Sequence, residues 1–377
     1  MSHRPGGGEL AYGRFFLPGP TEVRPEVLEA QARPVIAHRG SAMKVLMAGL
    51  QPGLGRLFGT DRPVYVSTSS ATGLMEAAVT NLSRRRILCL VCGAFSGRFH
   101  DIAALTGRPA DRLEVEWGSP NLPDRVAEKL AEAPGRYDLV TVVHSETSTG
   151  VLNPVARLAE VVRGHDDLLV AVDGVSSVAG TEVRFDEWGL DFMLTGSQKA
   201  LALPPGLAFG VASGRALERA AEVSPRSYYF DLLDFERRAR QHQTPNTPAL
   251  TLFYALARQL QRIDAEGLEA RLERHAAMAR RAHAWTGALA TRTGLDFEVL
   301  APEGYRSPTV TAVRLPERLV GPDLVAALRR HGWVIGSGYG KLAPSTIRIG
   351  HMGDHTPAEL EELLGTLDRV LQEELSR

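Results

Sequence analysis

Cysteine is nearly missing from this chain: among 377 residues only Cys89 and Cys92 carry thiols, too few for the disulfide framework of a secreted scaffold. Their spacing invites a redox reading. Both, however, lie in the apolar run Ile87-Leu88-Cys89-Leu90-Val91-Cys92, and residues three apart on a strand point to opposite faces and cannot easily pair. A reduced, cytoplasmic protein is expected. Net charge is also missing, since 43 Lys and Arg face 44 Asp and Glu for a formal charge of −1, and this balance gives no support to nucleic-acid or anionic-membrane partners. Short basic clusters at Arg84-Arg85-Arg86 and Arg237-Arg238-Ala239-Arg240 have no aromatic residues interleaved with them, so solvated faces or subunit contacts are expected there. No apolar run approaches membrane-spanning length, and the first residues lack the apolar core of a signal peptide. Gly6-Gly7-Gly8 follows no strand and opens no helix, so it reads as part of a flexible arm rather than a phosphate loop. There is no internal repeat.

What is present is enough chain for two cores. Apolar runs at 64–66, 87–92, 139–143, 168–172, 192–194 and 207–211 are mostly continuous rather than alternating, the pattern of strands covered on both faces. Between them, segments such as Val155 to Arg163 carry apolar residues at helical spacing. The spacing predicts an α/β fold with a mostly parallel sheet. From Leu252 to Arg281 the texture becomes that of a long, broken amphipathic helix, followed by strand patterns at 309–313 and 347–349, a helix over 324–330, and a last helix opened by Thr356-Pro357. The expected division is a flexible arm over 1–13, a large domain over 14–255, and a linking helix with a small α+β domain over 256–377.

Chemistry concentrates at strand ends. Lys199 follows the apolar Phe192-Met193-Leu194 within Thr195-Gly196-Ser197-Gln198-Lys199, and Asp173 closes the run 168–172. A lone lysine after a strand is ordinarily a solvated loop residue, and a lone aspartate there an ordinary cap. Together they are the two groups that pyridoxal 5′-phosphate needs, an amine to tether its aldehyde as a Schiff base and a carboxylate to keep its ring protonated. Ser69-Ser70-Ala71-Thr72-Gly73 precedes a good helix former, so backbone amides, the Ser70 and Thr72 hydroxyls and the helix dipole could hold a phosphate. Phe95, in Cys92-Gly93-Ala94-Phe95, could stack on a ring, and Thr147, in His144-Ser145-Glu146-Thr147, could bond a ring hydroxyl. Ligands of open sheets bind at the carboxyl ends of strands, which brings these loops to one crevice. Arg348 could grip a carboxylate through two parallel hydrogen bonds. His351 and His355 are four apart but lack the helix and glutamate of a zinc-protease motif, so no metal is assigned.

With these stretches in hand, the chain resembles the class V aminotransferases of the fold type I pyridoxal-phosphate enzymes, near the alanine:glyoxylate and serine:pyruvate aminotransferases. The resemblance rests on Leu17-Pro18-Gly19-Pro20-Thr21, His38-Arg39, Ser70 to Glu76, Gly93 to Arg98, Glu146 to Val151, Val172-Asp173, Gly196 to Lys199, Pro204-Pro205-Gly206 and Arg348 to Gly353. It implies that Lys199 and Asp173 are catalytic, that Ser70, Ala71, Thr72 and Gln198 surround the cofactor phosphate, that Phe95 stacks and Thr147 approaches the ring oxygen, and that Arg348 binds the substrate carboxylate. It also implies a homodimer with active sites at the interface, where Thr247 reaches the partner's phosphate. The implied reaction moves an amino group from alanine or serine to glyoxylate or pyruvate. Two alternatives stand beside it: a phosphoserine aminotransferase, because His38-Arg39-Gly40 and Asn246-Thr247-Pro248 resemble that branch too, and a non-catalytic cofactor-binding scaffold.

Overall fold

The computed structural model describes residues 13–376, so the expected arm lies, but for Gly13, outside the described residues. A seven-stranded sheet runs in the order Tyr65–Ser67, Ala208–Ala212, Phe192–Gly196, Leu169–Asp173, Leu139–Val143, Ile87–Val91, Ala110–Glu114. Only Ala208–Ala212 runs against its neighbours; the other pairings are parallel. Side chains in these strands alternate between two apolar layers. Leu88, Leu90, Val140, Val142, Val170, Val172 and Met193 enter one, and Ile87, Cys89, Val91, Leu139, Leu169, Ala171, Phe192 and Leu194 enter the other. Because both faces are buried, the period of two is invisible in the sequence and the strands read as unbroken apolar runs. The same geometry separates the thiols: Cys89 sits in the second layer, and Cys92 in a small cluster past the strand end with Val151 and Ala301.

The broken helix resolves into Leu250–Glu266 and Leu268–Thr293, with the break at Gly267, whose φ of 84° suits glycine. Beyond it, a five-stranded sheet has the order Phe15–Phe16, Val334–Ser337, Thr346–Gly350, Val310–Arg314, Glu298–Val299. Its core packs Trp285 and Leu289 of the long helix against Ile335, Ile347 and Ile349 and the last helix, Pro357–Leu375. One strand of this sheet comes from the far end of the chain. Phe15–Phe16 pairs in parallel with Val334–Ile335, so residues that chain order groups with the large domain begin in the smaller sheet and cross from it to the large one over 17–24. Among the described residues, no helix is long and apolar enough to cross a membrane.

Candidate active site

Eight of the ten residues singled out from the sequence, Ser70, Ala71, Thr72, Phe95, Thr147, Asp173, Gln198 and Lys199, line one cavity of about 230 Å³. It opens at the carboxyl ends of the parallel strands, as the crevice rule requires. A cleft of about 890 Å³ lies elsewhere, between residues 48–63 and 239–242. Its Arg62 and Arg56 are paired with Asp186 and Asp264, and no lysine is among its lining residues.

Lys199 is 8 % exposed, its amine donates to the Pro18 carbonyl, and it stands 5.9 Å from the centre of the Phe95 ring. Burial, and next the positive charge of Arg348, push its amine down to about 8, although Asp173 opposes the shift. Gly19 makes the close approach possible, because a Cβ there would overlap the lysine amine. Asp173 is also buried, and its Oδ1 accepts the Val175 N–H at 2.8 Å. Burial raises its carboxyl to about 6, against the pull of that N–H and of Arg98 and Lys199.

Ser70 caps the helix Ala71–Leu82 without a side-chain capping bond and is exposed, which leaves its hydroxyl open to the cavity mouth. Thr147 bonds Ser176 through their hydroxyls at 2.6 Å, and its carbonyl accepts from Arg348 Nη1 at 3.1 Å. Arg348 is 9 % exposed, donates through Nε to the Ser337 carbonyl at 2.8 Å, and lies 5.5 Å from the Tyr339 ring. Burial lowers its guanidinium to about 10, and its fork is oriented by backbone carbonyls rather than neutralised by a carboxylate. Arg348 thus borders the cavity through Thr147 and Tyr339. Thr247 does not join it: the residue is exposed, on a segment apart from the cavity lining.

Sequence reasoning missed three contributors. Arg98 lines the cavity, donates to the Thr72 hydroxyl at 3.2 Å and lies over the Phe95 ring at 4.9 Å; its place three residues beyond Phe95 on a helix was an available signal. Glu146, fully buried, accepts the Phe95 N–H at 3.2 Å and the Ser96 N–H at 2.8 Å, and so fixes the first turn of the helix Ala94–Leu105, which presents the ring. Gly93 beside it has no room for a Cβ against Glu146 and Ser148. Tyr339 arrives from the smaller sheet to stand 5.2 Å from Phe95, a contact that local sequence does not announce.

Comparison with known proteins places this geometry in context. A sequence model of the family Aminotransferase class-V matches residues 57–346. The chain is 38 % identical to an uncharacterized aminotransferase of Methanocaldococcus jannaschii, over 95 % of this chain and 92 % of that one. It is 32 % identical to the L-aspartate–glyoxylate aminotransferase of Paracoccus denitrificans, and 31 % identical to the serine–glyoxylate aminotransferase of Arabidopsis thaliana, in both cases over 95 % of this chain and 90 % of the relative. The solved alanine–glyoxylate aminotransferase of Nostoc sp. superposes with a TM-score of 0.89 at 26 % identity, covering 98 % of each chain.

Proposed function

The chain belongs to the class V aminotransferase family, and from that premise we infer that it moves an amino group from a small L-amino acid, alanine or serine, to a short 2-oxo acid such as glyoxylate or pyruvate, with pyridoxal 5′-phosphate as cofactor. The observation that carries this reading is the meeting of Lys199 and Asp173 in one small cavity beside a helix N-terminus. The residues fit the cofactor. The uncapped Ser70 hydroxyl and the first amides of Ala71–Leu82 suit a phosphate, and among the described residues the hydrogen bond of the Asp173 carboxylate engages Oδ1, which leaves Oδ2 for a ring nitrogen.

When bound, the cofactor supplies an electron-withdrawing ring that makes the substrate's Cα proton removable. The chain does the rest. Arg348 grips the α-carboxylate with a fork already aimed by the Ser337 and Thr147 carbonyls. The Lys199 amine, biased toward its neutral form by burial, takes the Cα proton and holds it within the cavity. Phe95, held by Glu146, would cover the ring face of the bound cofactor. Asp173 holds positive charge at the ring nitrogen.

The glyoxylate acceptor is supported by the Paracoccus, Arabidopsis and Nostoc relatives, each a glyoxylate aminotransferase. The phosphoserine alternative gains no support: Arg39, of the His38-Arg39-Gly40 stretch that resembles that branch, spends its fork on the Thr244 and Pro245 carbonyls at 2.7 and 2.9 Å. The exposed position of Thr247 and the open Ser70 hydroxyl support a homodimer whose second subunit completes the phosphate site; two buried free thiols support a reducing compartment such as the cytoplasm. A panel of L-alanine, L-serine, L-aspartate and L-phosphoserine against glyoxylate, pyruvate and 2-oxoglutarate tests the assignment. Alanine or serine with glyoxylate should give the highest kcat/KM; preference for phosphoserine with 2-oxoglutarate would refute it.

The Asp173 carboxyl yields a second test. A carboxyl raised to about 6 contributes stability that is fully present below its unfolded value and is lost as pH rises through about 6. Above that pH the ionised group costs the cofactor-free fold as much as about 3 kcal/mol. Asp173→Asn should therefore raise the Tm of the cofactor-free protein at pH 8, with the gain shrinking toward pH 5, while cofactor affinity falls. Thermal scans at both pH values check this, and a gain of equal size at both would mean that charge is not its source.

A further inference from the structure

Arg271, in the helix Leu268–Thr293, is the largest fully buried side chain among the described residues, at 1 % exposure. A linker helix would be expected to bury an apolar residue at such a place. Instead, every nitrogen of this guanidinium has a partner. Nε donates to the Ala179 carbonyl at 3.3 Å, Nη2 to the Ala200 carbonyl at 2.7 Å, and Nη1 to Asp354 Oδ1 at 2.8 Å and Glu266 Oε2 at 2.9 Å.

The partners are not scattered. Ala179 belongs to the turn that follows Asp173, Ala200 is the residue after Lys199, and Asp354 lies just past the strand Thr346–Gly350 that carries Arg348. Two of these turns hold non-glycine residues with left-handed backbone, Ala179 at φ 66° and Ala202 at φ 50°. That region is disfavoured for any residue with a Cβ and persists only where surrounding contacts impose it. Asp354 is fixed from its other side by Gln259 Nε2, at 3.1 and 3.2 Å from its two oxygens. The Lys199 carbonyl is fixed in turn by the Thr21 hydroxyl at 3.0 Å.

We propose that Arg271 and Asp354 are positioning residues for the reaction: one buried ion pair sets the register of the three loops that bear Asp173, Lys199 and Arg348. The proposal rests on the reading of those three as the site. It explains why an ion pair stands where apolar packing would serve stability at least as well. Three inward-facing oxygens from three loops need a planar fork with several donors, and only arginine has one. The pair also ties the smaller sheet, which supplies the carboxylate grip, to the larger, which supplies the amine.

The test compares wild type with Arg271→Lys, Asp354→Asn and Arg271→Met as cofactor-loaded proteins, reading the visible absorbance of bound pyridoxal phosphate against pH alongside kcat and KM. Loss of register should shift the midpoint pH of that absorbance by about one unit and lower kcat between tenfold and about a hundredfold, with KM for the 2-oxo acid changed less than threefold. Purely structural residues would lower Tm while leaving the absorbance midpoint and kcat per folded molecule at wild-type values, and that result overturns the proposal. If Arg271→Met fails to fold, the milder pair decides by the same criteria. A wild-type protein without the absorbance would refute the cofactor assignment, and this inference with it, whereas normal wild-type absorbance with unchanged variants refutes this inference alone.

Discussion

Replacing Lys199 by alanine is expected to lower turnover by at least about 10⁴-fold, the upper range of what a positioned general base contributes, and to remove the visible absorbance of a lysine-bound cofactor. The protein should nonetheless fold. Among the described residues the amine's one hydrogen bond is to the Pro18 carbonyl, and burial already disfavours its charged form, so deleting the group relieves a cost while vacating some volume. Stopped-time assays of amino transfer, together with absorbance spectra of the purified variant, decide the matter. A variant within tenfold of wild type would remove Lys199 from the reaction and require another amine. Among the lining residues of the cavity no other lysine is available.

Arg348→Lys is expected to have the next largest effect, a fall of about a hundredfold or more in kcat/KM for every carboxylated donor. Lysine keeps the charge but loses the planar pair of donors. It also abandons the Ser337 and Thr147 carbonyls that now hold the guanidinium in place, and truncating a buried charged hydrogen-bond partner costs about 2–5 kcal/mol. The loss should appear in both KM and kcat, since a substrate held loosely also presents its Cα proton poorly to Lys199. Steady-state kinetics with L-alanine and with a decarboxylated amine discriminate. If the variant loses activity equally toward both, the guanidinium is not a carboxylate grip.

Much of the seven-stranded sheet was legible because its strands carry a strong local signal. The runs at 139–143 and 192–196 are apolar on both faces, and each ends in a loop with a chemically distinctive residue. Lys199 and Asp173 could be paired for that reason, by the rule that strand ends share a crevice. The contacts that orient those groups were not legible. Glu146 reaches Phe95 across 51 residues of chain and Arg271 reaches Ala179 across 92, and neither distance leaves a periodic trace. Arg271 in particular reads as one more solvated arginine of an amphipathic helix until the fold brings three oxygens to it. Tyr339 is a similar case, since a loop of the smaller sheet carries it to a ring on the larger.

The strand Phe15–Phe16 has a bearing on how the molecule is made. Its partner begins at Val334, so on the ribosome Phe15–Phe16 waits for the strand Val334–Ser337 to be synthesised before it can dock. The following stretch, which places the Pro18 carbonyl and Gly19 against the amine of Lys199, waits with it. A translation product interrupted before Val334 can therefore contain Lys199 and Asp173 and still lack part of the cavity wall, because Pro18 and Gly19 follow directly on a strand that docks only on Val334–Ile335.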